Sequence, residues 1–579
     1  MAHVGGYCRS VRFVAITFSL LLSSTALSIA QGIQPGFDLR QTEKRFDALE
    51  SEHTQQARPG MRMPQFAHPL SAADIKPQFK LRDVIVSGAM ALPSTVLART
   101  YGPYLGKQVS QADLAAIAAA IGDLYRTAGF FLSRAIVPPQ DVIDGRVRLE
   151  VIEGSIAEVA LKGDAGEQFG VRPMLAPALA EHPSRLATLE RQLLLINTRP
   201  GVRIADTAIE EIGEASGRFR LIVELKTWHI YASFGLDNLG SSSIGPWQTY
   251  AAAAFNSYLL PGDSLVLNLA TTPGDPRELA FGRFSYDVPV GTDGARIGAS
   301  ALYSDVRQGD FRRLFGDSTT TQSFEIRSSI VPLQSHHSSL TLTAAFDYIN
   351  ASENTIFGPV YNDHIRTIGL NSDFRFNDHF GGNNAFMMIY RQGVDVFGAW
   401  RFGDIRSSRD GASANFSVLD FGFTRYQKLS DAWSVKVATA GQIASGPLFL
   451  SQQFYLGGLT FGRGYGSAQI NGDNGIAGSF EFRYDQRLNL RYLSGYQLYS
   501  FVEAGAAWED GNSYNEGLAL TSVGGGVRFL LWDELQADIA VAFPLSYRAP
   551  DNSARSARLL FSLSNALKFC PQTGQGHCL

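Results

Sequence analysis

The run Leu535-Gln-Ala-Asp-Ile-Ala-Val-Ala-Phe543 repeats with a period of two: leucine, alanine, isoleucine, valine and phenylalanine take every second position, and Gln536 and Asp538 lie between them. Because successive side chains of a β-strand point to opposite faces, this period predicts a strand with one apolar face. The same pattern recurs in Ser339–Tyr348 and Leu559–Phe569. We therefore expect residues 228–569 to form a large all-β domain.

A transmembrane barrel fits these strands better than a soluble β-sandwich, which also alternates. The strands are roughly ten residues long, and polar insertions such as 305–318 and 401–413 separate them, as in outer-membrane barrels. Residues 228–569 number 342 (569 − 228 + 1). At roughly 20 residues per strand and connection, they predict about 16 antiparallel strands. A barrel of that size encloses a water-filled channel.

The composition of the chain agrees with this fold. Only 18% of the 579 residues are charged, 11% are aromatic and 57 are glycine. The mean hydropathy is −0.03, as expected when lipid-facing and lumen-facing residues cancel. After the N-terminal apolar run, the sequence contains no stretch long and apolar enough for a transmembrane helix. The net charge of −4 gives no reason to expect a nucleic-acid partner.

The N-terminus predicts export. Arg9 and Arg12 precede an apolar run over 13–22, and Ser28-Ile-Ala30 supplies the small residues of a cleavage site. We expect residues 1–30 to be a signal peptide, cleaved after Ala30. The mature chain then keeps two cysteines, Cys570 and Cys578, which in an exported protein either form a small disulfide loop or remain free thiols.

Residues 31–78 form a polar segment with many prolines, in which 40–57 is predicted to be one helix. Phe46 and Leu49, with Leu39 immediately before the helix, are its few large apolar residues. Such a helix buries little surface by itself. It is either a solvated spacer or a segment that docks inside a polar cavity.

Two small α/β patterns precede the barrel. In the first, over 79–154, Ser110 is a helix N-cap with Asp113 three residues later, and a single apolar stripe follows to Tyr125. Strands are expected over 79–87, 132–137 and 145–152. A second pattern, over 155–227, has a strand at 156–161, a helix at 184–196 and strands at 202–209 and 218–225.

Several motifs in these patterns resemble those of a known family. Tyr125-Arg-Thr-Ala-Gly-Phe-Phe-Leu-Ser-Arg-Ala-Ile-Val-Pro-Pro-Gln140 and Asp144-Gly-Arg-Val-Arg-Leu-Glu-Val-Ile-Glu-Gly154 resemble the first POTRA (polypeptide-transport-associated) domain of two-partner secretion transporters. Leu194-Leu-Ile-Asn-Thr-Arg-Pro-Gly-Val202 resembles their second POTRA domain. The fold implied by the resemblance is a transmembrane barrel preceded by two POTRA domains.

Further motifs in the barrel region resemble those of the haemolysin-activator branch of that family. Gly235-Leu-Asp-Asn-Leu-Gly240 resembles its opening hairpin, and Phe461-Gly-Arg-Gly-Tyr465 resembles the tip of its long inward-folded loop. Gly462 replaces the usual valine there. Phe501-Val-Glu-Ala-Gly505 resembles the second signature, Phe-x-Asp-x-Gly, with Glu503 in the acidic position. The candidate site residues are Arg463, Gly464, Tyr465, Phe501, Glu503 and Gly505.

A physical argument links the two signatures. The alternation over 496–508 places Leu498 and Val502 toward lipid and Glu503 toward the lumen. Arg463 lies between two glycines, so the backbone is free enough to press a loop tip against the wall, and its guanidinium can bind a carboxylate in a bidentate manner. We therefore predict contact between Arg463 and Glu503; the alternative is that both are solvated pore residues.

The resemblance implies an outer-membrane transporter, with its POTRA domains in the periplasm, that exports a large haemolysin- or adhesin-like exoprotein captured in extended form. It also implies that helix 40–57 occupies the pore at rest. The alternatives are a barrel-assembly factor of the same superfamily, which usually has three or more POTRA domains, and a solute porin. We expect a monomer in outer-membrane lipid, with no enzyme activity, cofactor or metal site. Barrel chains of this kind normally end on an aromatic residue. Phe569 fits that role, although residues 570–579 extend beyond it.

Overall fold

The computed structural model describes residues 42, 43, 46, 61 and 62 and then 76–569, with gaps at 164–165, 214–215, 402–403, 405, 489, 511–517, 533–534 and 547–555. The predicted signal peptide, most of segment 31–78 and the tail 570–579 with Cys570 and Cys578 lie outside these residues. Among the residues described by the structure, no helix is long and apolar enough to cross a membrane.

The first α/β unit packs two helices on small sheets. Strand β1 (Met61–Arg62) precedes it in the chain but belongs to the sheet of the second unit. The elements of the first unit are β2 (Phe79–Lys80), β3 (Asp83–Ser87), α1 (Ser94–Tyr101), β4 (Gln108–Val109), α2 (Gln111–Thr127), β5 (Arg134–Ile136) and β6 (Arg146–Ile152). The strand expected over 79–87 is interrupted, because β2 pairs with β4 whereas β3 pairs with β6. The capping box at α2 is present, with Ser110 N donating to Asp113 Oδ2 at 2.8 Å.

The second α/β unit has one four-stranded sheet. Its elements are β7 (Ser155–Lys162), α3 (Val171–Met174), α4 (Ala176–Ala180), α5 (Leu186–Asn197), β8 (Val202–Glu211) and β9 (Arg218–Thr227), and the sheet order is β1-β8-β9-β7. Helix α5 begins two residues later than expected, because the Ser184 hydroxyl accepts a hydrogen bond from Ile156 N at 3.0 Å. Arg191 of α5 forms an ion pair with Asp293, in a barrel turn, at 2.9 Å.

Sixteen antiparallel strands form a closed barrel, as the sequence predicts. The strands are β10 (Ile230–Asp237), β11 (Gln248–Asn256), β12 (Ser264–Thr271), β13 (Leu279–Val290), β14 (Ala295–Arg307), β15 (Ser318–Gln334), β16 (Ser338–Thr355), β17 (Gly358–Asn377), β18 (Gly382–Gly393), β19 (Ser417–Lys428), β20 (Trp433–Ala444), β23 (Asn474–Arg487), β24 (Leu493–Trp508), β25 (Leu518–Leu531), β26 (Leu535–Pro544) and β27 (Arg558–Phe569). Strand β27 closes the barrel on β10, with Phe569 in register with Ile230.

The alternation in the sequence corresponds to two faces of the barrel wall. On β24, Leu498 and Val502 are nearly half exposed on the outside, while Phe501 and Glu503 are buried toward the lumen. Several strands are longer than the expected ten residues; β17 has 20. Strand length thus exceeds what a bilayer requires, so these hairpins project beyond the membrane.

One long connection between β20 and β23 folds back against the inner wall. It contains the short hairpin β21 (Phe454–Leu456) and β22 (Ile470–Gly472). Leu456, Phe461 and Tyr465 from this connection pack with Ala477 and Leu520 of the wall in one apolar cluster. This packing carries the predicted loop tip to strands β24 and β25.

Candidate functional site

The carboxylate of Glu503 is the anchor point of the loop tip. Its Oε1 accepts from Arg463 Nε at 2.7 Å. Its Oε2 accepts from the backbone N–H groups of Gly462 at 2.9 Å and Arg463 at 2.8 Å, and from the Ser522 hydroxyl at 3.1 Å. The Glu503 side chain is only 1% exposed. A buried carboxylate with four donors binds both the guanidinium and the backbone of the tip.

A second carboxylate, Glu481, binds the same arginine and was not singled out from the sequence. Arg463 Nη1 lies 3.0 Å from Glu481 Oε2. Glu481 also binds Arg483 and Arg528, each at 2.8 Å. Arg463 therefore bridges two buried carboxylates on neighbouring strands, which a lysine could not do with the same planar geometry.

Aromatic rings of the wall cover the two arginines. The guanidinium carbon of Arg463 lies 3.5 Å from the ring centre of Phe501, and that of Arg528 lies 3.8 Å from the ring centre of Tyr499. Arg528 also forms an ion pair with Asp538 at 3.0 Å. Stacked rings exclude water from the charges and strengthen their attraction.

The glycines of the two signatures allow the loop tip and the barrel wall to approach each other closely. Gly462 has φ +84°, a conformation that valine adopts only with strain, so the departure from the family pattern matches the local backbone. A Cβ at Gly464 would lie 2.9 Å from the backbone nitrogen of Pro544, and one at Gly505 would lie 2.9 Å from Leu456 Cδ1. Both positions thus bring the loop into direct contact with the wall.

Tyr465 fixes the far side of the tip. Its hydroxyl donates to Thr521 O at 2.8 Å, and Arg558 of the last strand donates to the Tyr465 carbonyl. The structure thus brings together all six candidate residues, Arg463, Gly464, Tyr465, Phe501, Glu503 and Gly505. Sequence spacing could not identify Glu481, Arg528 and Arg558, because they come from other strands.

The contact at Gly464 predicts an effect of added volume. In Gly464→Ala, the new methyl group meets backbone atoms of the wall at 2.9–3.0 Å, so the tip must shift and we expect a severalfold loss of client secretion. Gly446→Ala is a matched control in the same connection, because a Cβ there meets nothing within 4 Å. Exoprotein in the culture medium is measured at equal levels of folded barrel. Equal loss in both variants would contradict the role of close contact.

The charged groups of the site are held in ion pairs with one another. Among the described residues, no group of three or more His, Cys, Asp or Glu side chains could hold a metal ion. The fixed charges instead hold a loop inside a wide barrel, which leads from α/β units at one end to projecting hairpins at the other. These features define a large outer-membrane barrel with a loop fixed inside its lumen.

Comparisons with known proteins identify its family. A model described as "POTRA domain, ShlB-type" matches residues 79–154, and one described as "Haemolysin secretion/activation protein ShlB/FhaC/HecB" matches residues 221–529, more than half of the chain. The chain belongs to the haemolysin secretion/activation protein family ShlB/FhaC/HecB. It is an outer-membrane transporter of the two-partner secretion type, which exports protein and has its POTRA region in the periplasm.

Individual relatives are distant in sequence but cover most of the chain. The heme/hemopexin transporter protein HuxB of Haemophilus influenzae is 23% identical over 80% of this chain and 81% of its own. The outer membrane transporter CdiB of Dickeya dadantii is 21% identical over 92% of this chain and 95% of its own. The solved structure of CdiB from Escherichia coli has a TM-score of 0.72 at 19% identity and covers 91% of this chain and 97% of that chain.

Proposed function

We propose that this transporter captures one large, haemolysin- or adhesin-like exoprotein in extended form on two POTRA domains and exports it through its own barrel. The observation that supports this most is the buried Arg463–Glu503–Glu481 cluster, which fixes a loop inside the channel at atomic contact distances. Export of this type needs no nucleotide, since folding of the client outside prevents its return.

The second α/β unit supports the count of two POTRA domains. Like the first unit, it has helices on a sheet in which a parallel and an antiparallel pair share the central strand: β6 with β3 and β5, and β9 with β7 and β8. Barrel-assembly factors usually carry three or more such domains, and a porin has none. The arrangement therefore favours a transporter of a dedicated client.

The test of this function is dependence of one exoprotein on the transporter. Cells that carry an exoprotein encoded beside this gene should release it only when the transporter is expressed. The barrel-assembly alternative predicts instead that several outer-membrane proteins decrease when the transporter is deleted. Client release without the transporter would refute the proposal.

Glu43 and Phe46, two described residues of the predicted helix 40–57, contact the inner wall of the barrel. The ring of Phe46 stacks on Phe281 with centres 5.9 Å apart and meets Tyr250 edge-on at 6.1 Å. Glu43 forms an ion pair with Arg283 at 3.2 Å. Phe281 and Arg283 lie on the inward face of β13, so these contacts support the proposal that helix 40–57 occupies the lumen at rest.

Deleting residues 37–58 is therefore expected to raise single-channel conductance in planar bilayers severalfold, because the lumen loses its occupant. Phe46→Ala should change conductance in the same direction by a smaller amount. Phe386→Ala, on the outer face of β18, is the control and should leave conductance unchanged. Unchanged conductance in the deletion variant would show that the segment is only a periplasmic spacer.

A further inference from the structure

In the sheet of the second α/β unit, strand β8 is already paired with a short piece of the N-terminal segment 31–78. Strand β1 runs parallel to β8, with Met61 in register with Thr207 and Arg62 in register with Ala208. Edge strands expose unpaired N–H and C=O groups that accept any suitable extended segment. Here the structure shows that this edge does accept one, and in which register.

The pairing strand is kept short by its sequence. Pro59 and Pro64 flank the stretch Gly60-Met-Arg-Met63, and proline cannot donate a hydrogen bond to a neighbouring strand. Strand β1 therefore covers only two of the ten residues of β8. A longer segment without proline would form more main-chain hydrogen bonds on the same edge and could displace it.

The edge has a defined start on β8. Its register with β9 shifts between Ile204 and Asp206, so Ala205 is an extra residue, and such a bulge interrupts pairing along a strand. The regular part of the edge therefore runs from Asp206 to Glu211. Strand β1 occupies Thr207 and Ala208 of it, and the part from Ile209 to Glu211 extends beyond β1.

The two faces of this edge differ in chemistry. Thr207 and Ile209 are buried toward the core of the unit. Asp206, Ala208 and Glu210 lie on the opposite face, which also carries Glu158 and Arg220. Along β8, buried positions therefore alternate with positions on a face that is acidic at Asp206 and Glu210. An incoming segment that alternates apolar and basic residues fits best.

We propose that the β8 edge, Asp206–Glu211, is a docking edge for an extended client segment of alternating apolar and basic residues, and that β1 closes it in the resting protein. This inference rests on the proposed function and names the surface that the client uses. The same N-terminal segment holds Phe46 in the lumen, 15 residues before Met61 (61 − 46). Displacement of β1 by a client thus removes one of two anchors of the segment.

The experiment uses the full-length transporter in lipid nanodiscs and a fluorescein-labelled synthetic peptide, Met-Arg-Met-Arg-Met-Arg. The resting protein should bind it weakly. The double variant M61P/R62P, which cannot form β1, should bind it about tenfold more tightly, the equivalent of about 1.4 kcal/mol. Fluorescence anisotropy gives the dissociation constants, and heat-modifiable mobility shows that the barrel is folded.

A reversible disulfide bond between β1 and β8 provides the converse test, because it keeps β1 on the edge. In C570S/C578S protein, the register partners are replaced by cysteine (R62C/A208C); oxidation should abolish peptide binding, and reduction should restore it. The variant A67P, which adds a proline outside β1, and a peptide with glutamate in place of arginine are the controls. A67P should bind like the unmodified protein, and the acidic peptide should bind to none of the proteins.

Two results would overturn the docking edge: equal peptide affinity in the resting, proline and locked proteins, or failure of the disulfide to form. Export of the neighbouring exoprotein by the unmodified transporter is measured in parallel. If export persists while the peptide results fail, only the docking edge is refuted. If the unmodified transporter does not export the exoprotein, the proposed function itself is refuted.

Discussion

Removal of residues 79–226 is expected to abolish client secretion, to below about a tenth of the normal amount, while the barrel still assembles. Main-chain pairing at a sheet edge is the means by which a folded domain captures an extended chain irrespective of most side chains. The deletion removes the sheet edges of both α/β units. Barrel stability should survive, because the wall closes on itself through β10 and β27.

The measurement compares exoprotein in the medium with heat-modifiable barrel in the outer membrane. Shorter deletions over 79–154 and 155–227 separate the two units; the second should be the more damaging, since α5 also contacts the barrel through Arg191 and Asp293. Arg191→Ala alone serves as the control for loss of that contact. Normal secretion from the 79–226 deletion would remove the receptor role from both units.

Much of the barrel was predictable from sequence, because the two faces of a strand appear as an alternation between adjacent residues. The exposure of Leu498 and Val502 and the burial of Glu503 follow from their spacing, and they are found as expected. The number of strands could be estimated from the length of the barrel region, because each strand with its connection uses a similar number of residues. Each strand pairs with a near neighbour in sequence, so few alternative topologies compete.

Long-range register is what the sequence could not supply. Glu481 is one of many lumen-side polar residues on β23, and its importance depends on Phe501 lying opposite it on the next strand. Arg528 reaches the same carboxylate from β25, 47 residues away along the chain. Likewise, the break between β2 and β3 depends on pairing with β4 and β6, which no local pattern reveals.

The pairing of β1 with β8 was also beyond prediction. A two-residue strand between prolines has no periodicity, and the linker composition favours an extended or irregular chain. Only the neighbouring edge of β8 gives the segment its partner. Such short contacts become visible when the whole sheet is known.

Replacement of Arg463 by alanine is expected to cut secretion about tenfold or more with the barrel still inserted. The change leaves Glu503 and Glu481, whose side chains are 1% and 4% exposed, without their shared cation. Breaking a buried pair costs about 3–5 kcal/mol, against about 0.2–1 kcal/mol for an exposed pair. Arg375→Ala is the matched control, because its ion pair with Asp373 is exposed on the same barrel.

Substitutions at Glu503 separate the role of its charge from that of its shape. Glu503→Gln keeps the size but loses the charge that three N–H groups and one hydroxyl converge on, so secretion should fall as in Arg463→Ala. Glu503→Asp keeps a carboxylate, as in the usual family signature, and should retain more activity than the glutamine variant. The reverse order would show that side-chain size, rather than charge, holds the tip.

A simple two-charge contact would predict rescue by the swap Arg463→Glu with Glu503→Arg. The surroundings predict the opposite. An arginine at 503 cannot accept from the backbone N–H groups of Gly462 and Arg463, and a glutamate at 463 would face Glu481, which lies 3.0 Å from the present guanidinium. The swapped protein should therefore secrete no better than the worse single variant. Recovery to near-normal secretion in correctly inserted protein would mean that the tip depends on the one pair alone and that Glu481 has no part in holding it.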